Sequence, residues 1–212
     1  MNTVRAELRK LLTLPSLRRT ALLTWAATVL LTYAYASAES SGGKLGDAAL
    51  APLGYTQAGF LVLGLLAATS EYQEGDQIRT TLLAMPRRLP LQAAKALALA
   101  ALTLPVATAT AATSSLPAGE AARIPAAAAY LTLTTLLAAA VATVVRRAVP
   151  AAIALLGLYF VAGPLLRAGS PASAAYLPDT AALDPPHGAA ATIVWTVSAL
   201  TLAALTFRRR DA

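Results

Sequence analysis

His187 is the sole histidine in 212 residues, it sits in Asp184-Pro185-Pro186-His187-Gly188, and the chain has no cysteine. Thiolate catalysis, Cys-based zinc sites, iron–sulfur clusters and disulfide scaffolds are thereby excluded. One imidazole without an H-E-x-x-H partner pattern cannot assemble a zinc ligand set either, so His187 is expected to be a solvated residue of a Pro-rich connection. Residues 40–46, Ser-Ser-Gly-Gly-Lys-Leu-Gly, hold the glycines and lysine of a phosphate loop. They lack its spacing and the Ser or Thr that must follow the Lys, so the chain is not expected to bind ATP that way. No catalytic residue, metal site or cofactor is predicted for this chain.

What remains for chemistry is hydroxyl groups and one cluster of charge. Thr24, Thr28 and Thr32 recur every four residues and therefore share a helix face, and Thr132, Thr134, Thr135 and Thr143 decorate a later segment. Hydroxyls and small residues let helices approach closely and hydrogen-bond to one another. The same groups, in particular Thr24, Thr28, Thr32, Thr132 and Thr135, could instead line a substrate route, and the sequence leaves both uses open. Gly59 and Gly64 belong with the packing role. The charge cluster, Thr-Ser-Glu-Tyr-Gln-Glu-Gly-Asp-Gln-Ile-Arg at 69–79 continuing to Pro90, mixes both signs in one short stretch.

The elements that must carry these residues follow from composition. Apolar side chains make up 57% of the chain and charged ones 13%, about half of what a soluble domain needs to cover its surface. Between the charges lie six uncharged apolar runs, at 20–36, 53–70, 92–112, 124–145, 148–166 and 189–207, broken only by Lys95 near one edge. Each is about the 18 residues or more that cross a bilayer as a helix. They are rich in Ala and Leu and do not alternate, which disfavours membrane strands. The predicted fold is an all-α integral membrane protein of six transmembrane helices, forming a single transmembrane domain over 1–212.

Lys and Arg set the orientation. Fourteen fall in the amino-terminal segment, the second and fourth connections and the tail, against three, Lys44, Arg123 and Arg167, on the other side. This bias predicts both termini in the cytoplasm, and it accounts for the net charge of +7 without nucleic acid. Ala36-Ser37-Ala38 resembles a signal-peptidase site, but the apolar run before it is longer than a signal core and cleavage would invert the topology, so an intact first span is expected. All ten acidic residues lie outside the spans or at their ends. An ion-coupled carrier ordinarily holds an ionisable group at mid-membrane, so the energy for transport is expected from outside this chain.

Two cytoplasmic segments hold more than topology requires. Val4, Leu8, Leu11 and Leu12 fall on one face and Arg5, Arg9 and Lys10 elsewhere, predicting an amphipathic interfacial helix over 2–14 that Pro15 ends. In the second segment Glu71 and Glu74 close a span, Gly75 permits a sharp turn, and Asp76 can cap a short helix whose Ile78, Leu82 and Met85 align before Pro86. Arg79, Arg87 and Arg88 complete its charge.

This second segment resembles the loop between the second and third helices of type-2 ATP-binding cassette exporter permeases, where an acidic residue, a Gly and a Leu-x-x-Pro-x-Arg pattern precede a Lys. The matching residues are Glu71, Gly75, Thr80, Leu83, Pro86, Arg87 and Lys95; Glu7, Leu8, Lys10 and Leu11 match an amino-terminal segment of the same family. The likeness covers roughly the first 95 residues and the overall topology. It implies a permease subunit of the bacterial cytoplasmic membrane with no nucleotide site of its own. ATP and Mg would be held by a separate ABC ATP-binding subunit docked on 71–88, through Glu71, Glu74, Gly75, Asp76, Ile78, Arg79, Thr80, Leu82, Leu83, Met85, Pro86 and Arg87. It further implies a second permease subunit, identical or related, and re-entrant helices in the external connection 167–188. Uncharged, weakly polar spans suit an amphipathic, drug-like, peptide or lipid-like cargo. The alternatives are a membrane scaffold or immunity-type binding protein that transports nothing and, behind it, an ion-coupled carrier.

Overall fold

A computed structural model describes residues 2–40, 51–73, 88–170, 176–179 and 188–210. Among them there are helices and no strands: α1 (Asn2–Thr13), α2 (Pro15–Ser40), α3 (Ala51–Gln73), α4 (Arg88–Ser115), a single 3-10 turn (Ala121–Arg123), α5 (Ile124–Val145), α6 (Ala148–Gly169) and α7 (Gly188–Arg210). From α2 to α7, six helices are long and apolar enough to cross a membrane. The chain is a multi-pass, all-α membrane protein.

The helices run past the apolar limits read from sequence at nearly every end, because in the headgroup region a helix keeps its backbone bonded at no cost while polar side chains reach water. Pro15 does not merely end α1. It stands at the first position of α2, where its missing N–H would have been unpaired in any case. Glu71 likewise belongs to the last turn of α3.

Packing centres on α5, which touches α3, α4, α6 and α7. Buried residues make up 56% of its most apolar stretch against 11% for α2 and 17% for α7, so those two spans are exposed along most of their surface. Two glycines set the closest approaches. An added methyl at Gly59 would overlap the Thr24 hydroxyl, and one at Gly64 would overlap the Thr135 carbonyl and meet the Ala138 methyl at 3.0 Å. Small residues at these positions replace side-chain contact with near backbone contact, which drives helix association where lipid removes any hydrophobic gain.

Successive spans alternate in direction. Gln57 pairs with Tyr130 and Gly64 abuts Thr135, so α3 and α5 run parallel with α4 antiparallel to both. The junction at 14, the end of α3, the start of α4 and the turn at 146–147 therefore gather at one end, the basic end. Arg146 closes α5 there in the left-handed conformation (φ 59°), its N–H donating to the Ala142 carbonyl at 2.7 Å, and Arg147 is extended before α6 begins. In α6, residues Leu158–Ala162 widen into a π-turn between Gly157 and Gly163.

Candidate functional site

Most of the threonines named from sequence point inward and satisfy themselves. Thr24, Thr28, Thr132 and Thr135 are all buried. Each donates its hydroxyl to the carbonyl four residues earlier, at 2.8, 2.9, 2.8 and 2.9 Å respectively. Thr32 differs, with a buried Oγ1 that has no partner. Thr24 and Thr135 stand at the two glycine contacts, Gly59 and Gly64. A hydroxyl bonded to its own helix leaves nothing unpaired when a neighbouring helix moves away, so these threonines add no cross-helix bond at the two glycine contacts.

Polar groups do meet in the half of the bundle away from the basic end. The Tyr130 hydroxyl donates to Gln57 Oε1 at 2.6 Å, with both residues buried. Thr134 lies beside Tyr130 and Tyr159, and its Oγ1 and the Tyr159 hydroxyl are buried without a partner. Closest to the end sits an ion pair between Arg167 of α6 and Asp179, whose side chain is 3% exposed against 35% for the arginine. The Asp179 carboxylate is within electrostatic reach of both phenols.

Asp179 reaches this position because the chain turns back after α6. Tyr176–Asp179 is an irregular segment whose Pro178 and Asp179 are buried, and the Trp195 indole N–H of α7 donates to the Tyr176 carbonyl at 2.9 Å. Gly163 forms the seat: a Cβ there would lie 2.6 Å from Asp179 Oδ2. Arg167 is one turn further along the same face, so the π-turn, the glycine and the arginine together make a notch in α6 that accepts one carboxylate. Residues 171–175 and 180–187, including His187, lie outside the described residues.

A second meeting point lies at the basic end. The apolar side of α1 packs into the core, with Leu11 buried and Val4 and Leu8 against it, alongside Ala98 and Leu99 of α4. Leu12, counted on that face from sequence, is instead 50% exposed. Glu7 of α1 and Lys95 of α4 line one cavity of about 60 Å³, together with Gln92, Thr143 and the α3 residues Ala67 and Ala68. Both charged residues are half-buried, so Lys95 is drawn into the protein rather than extended to the headgroups. α1 is thus packed on the start of α4, one flank of the connection at 74–87, and shares the lining of this cavity with Ala67 and Ala68 near the end of α3.

Of the residues read as an ATPase dock, Glu71 ends α3, while Glu74, Gly75, Asp76, Ile78, Arg79, Thr80, Leu82, Leu83, Met85, Pro86 and Arg87 lie outside the described residues. The sequence missed the Asp179 cluster. Asp179 counts from sequence only as one of the acids outside the spans, and it proves to be buried and paired. The available signal was the opposite charges of Arg167 and Asp179 around a Pro-broken connection, and it became specific only with Gly163 in place. No protein-family model, curated protein or solved structure matches the chain.

Proposed function

We propose that the chain is the membrane-spanning permease subunit of an ATP-driven exporter, with nucleotide hydrolysis performed by a separate ABC ATP-binding subunit and the transport path completed by a second permease subunit. The observation that carries this is the packing of α1 on the start of α4, the helix that follows the 74–87 connection. A short amphipathic helix bound only to lipid would add anchorage. Packed on α4 and contacting α2, it would deliver a push at the basic end to spans on both sides of it. The self-bonded threonines at the two glycine contacts complement this, since a hydroxyl spent within its own helix is not orphaned when a neighbouring span shifts, while the Tyr130–Gln57 bond ties α5 to α3 so that these two would move together.

The fourteen-to-three bias of Lys and Arg supports a cytoplasmic basic end with both termini inside, which puts the dock where ATP is. An excess of Arg over Lys and an Ala-rich composition fit a bacterial cytoplasmic membrane. The return of Tyr176–Asp179 into the bundle is in keeping with the external connection of exporter permeases, and the neutral hydroxyls around Tyr159 suit an amphipathic cargo. The substituted chain E71K/E74K tests the assignment. Co-expressed with an ABC ATPase that the natural chain binds, it is expected to insert normally and to lose stimulation of ATP hydrolysis. Unchanged stimulation would overturn the dock. Failure of the natural chain to bind any such ATPase would favour a non-transporting membrane scaffold, and pH-driven transport without ATP would favour an ion-coupled carrier.

A further inference from the structure

A groove of about 360 Å³ opens between α1, α2, α3 and α4 on the side of the bundle opposite α6 and α7 in contact order. Its walls are Leu17 and Leu22 of α2, Leu63 of α3, and Leu102 and Val106 of α4; Leu11 and Leu12 of α1 roof it at the basic end. Thr103 brings a hydroxyl to the lining, and that hydroxyl is spent on the Leu99 carbonyl at 2.9 Å. The one charge in the lining is Arg18. Among the described residues no carboxylate pairs with its guanidinium.

These features define an occupant with two parts. An inorganic anion would satisfy Arg18 and leave the apolar walls unfilled. A neutral chain would fill the walls and leave the exposed guanidinium to water. A molecule bearing an anion at one end and an alkyl chain below it answers both, and in a membrane that molecule is abundant as anionic phospholipid. We propose that this groove holds an anionic phospholipid of the leaflet at the basic end, its phosphate on Arg18 and one acyl chain between α2 and α4 beneath the α1 roof. Arg18 stands in the first turn of α2 beyond Pro15, where a span that begins there would bring it to headgroup level, and apart from Thr103 the lining residues deeper along α2 and α4 are apolar.

The physics sets what the charge and the walls each contribute. An acyl chain leaves bilayer for protein without hydrophobic gain, so the groove itself supplies shape and contact rather than transfer energy. Preference for an anionic over a zwitterionic headgroup must come from Arg18, through a charge-assisted and potentially bidentate bond to phosphate oxygens. Arg19, next in sequence and exposed, does not line the groove and adds only to the general field of the basic end. A structural lipid held there would brace α1 against α2 and α4. The assignment needs the spans to lie in a bilayer and is independent of any transport role.

Native mass spectrometry of the full chain, released from mixed micelles of phosphatidylglycerol and phosphatidylcholine, is the test. One phosphatidylglycerol per chain is expected to be retained preferentially. Arg18→Gln is expected to reduce that preference about five- to tenfold, the scale of one basic residue at the interface plus its phosphate hydrogen bonds, whereas Arg19→Gln leaves it within about twofold. Ala21→Phe, which fills the groove without changing charge, is expected to abolish retention; Leu22→Trp, at a position already 65% exposed, does the same should the first variant not insert. Equal losses in the Arg18 and Arg19 variants, or full retention with the groove filled, would overturn the proposal.

Discussion

Asp179 carries the sharpest consequence at the scale of single residues. Its carboxylate is buried against Gly163 and paired with an arginine that is one-third exposed. Removing one partner of a fully buried pair costs about 3–5 kcal/mol; the exposure of Arg167 lets water take up part of that, leaving roughly 1–3 kcal/mol. Arg167→Gln strands a charge in the protein, whereas Asp179→Asn strands only a neutral amide and a half-solvated cation. The arginine variant should therefore melt lower in detergent than the asparagine variant, and the double variant should recover part of the loss. Equal melting temperatures for all three and the natural chain would show that the notch contributes nothing. Gly163→Ala belongs to the same series, because its Cβ would stand 2.6 Å from the carboxylate oxygen and force the segment out. Sequence inspection could not reach this residue: hydropathy assigns 167–188 to a connection, and only the fold reveals that part of a connection is buried. The same holds for Tyr159 and Thr134, which look like ordinary span residues until they are found together with unpaired hydroxyls.

Among helices, the two glycine contacts separate into a yielding one and a rigid one. At Gly59 the obstacle is the Thr24 side chain, whose Oγ1 and Cγ2 can turn away at the loss of a bond within its own helix, although its Cβ stays 2.8 Å from the added methyl. At Gly64 the obstacle is the Thr135 carbonyl, fixed in the backbone of α5. Gly64→Ala should thus cost more, about 1–3 kcal/mol of overpacking, while Gly59→Ala should be milder and be relieved further by Thr24→Ala. Thermal unfolding of the four variants in one detergent measures this; a larger loss at Gly59 than at Gly64 would mean that the α2–α3 contact, not the α3–α5 contact, limits stability. The spans, their order and the amphipathic α1 were legible from uncharged run length and periodicity, since those are properties of one helix in isolation. Which helix lies at the centre was not. α5 and α6 are similarly apolar, yet their most apolar stretches are 56% and 22% buried. Lipid and protein interior demand the same side chains, so hydropathy is silent on which of the two a helix faces.

For the molecule as a whole, the distribution of charge makes a prediction that the helices alone do not. Helix packing aligns the junction at 14, the end of α3, the start of α4 and the turn at 146–147 at one end, and Lys and Arg concentrate there. If that asymmetry sets insertion, the basic end is cytoplasmic and Lys44, Arg123 and Arg167 mark the other face. The absence of cysteine from the sequence makes the natural chain a ready background for labelling. Single cysteines at Gly119, whose backbone is already in a turn with nothing within 4 Å of an added Cβ, and at Arg147 in the α5–α6 turn sample opposite ends. The strained φ of Gly119 makes Ala118→Cys its companion in case the first variant inserts poorly. In intact cells a membrane-impermeant maleimide should label the 118–119 site and spare Arg147→Cys, which should react only after the membrane is opened. The opposite pattern would invert the protein, put α1 and the 74–87 connection outside, and remove any cytoplasmic ATPase from reach of the proposed dock. Labelling of both sites in intact cells would mean that the chain inserts in two orientations, and the paired architecture proposed for the exporter would then have to be rebuilt from antiparallel copies.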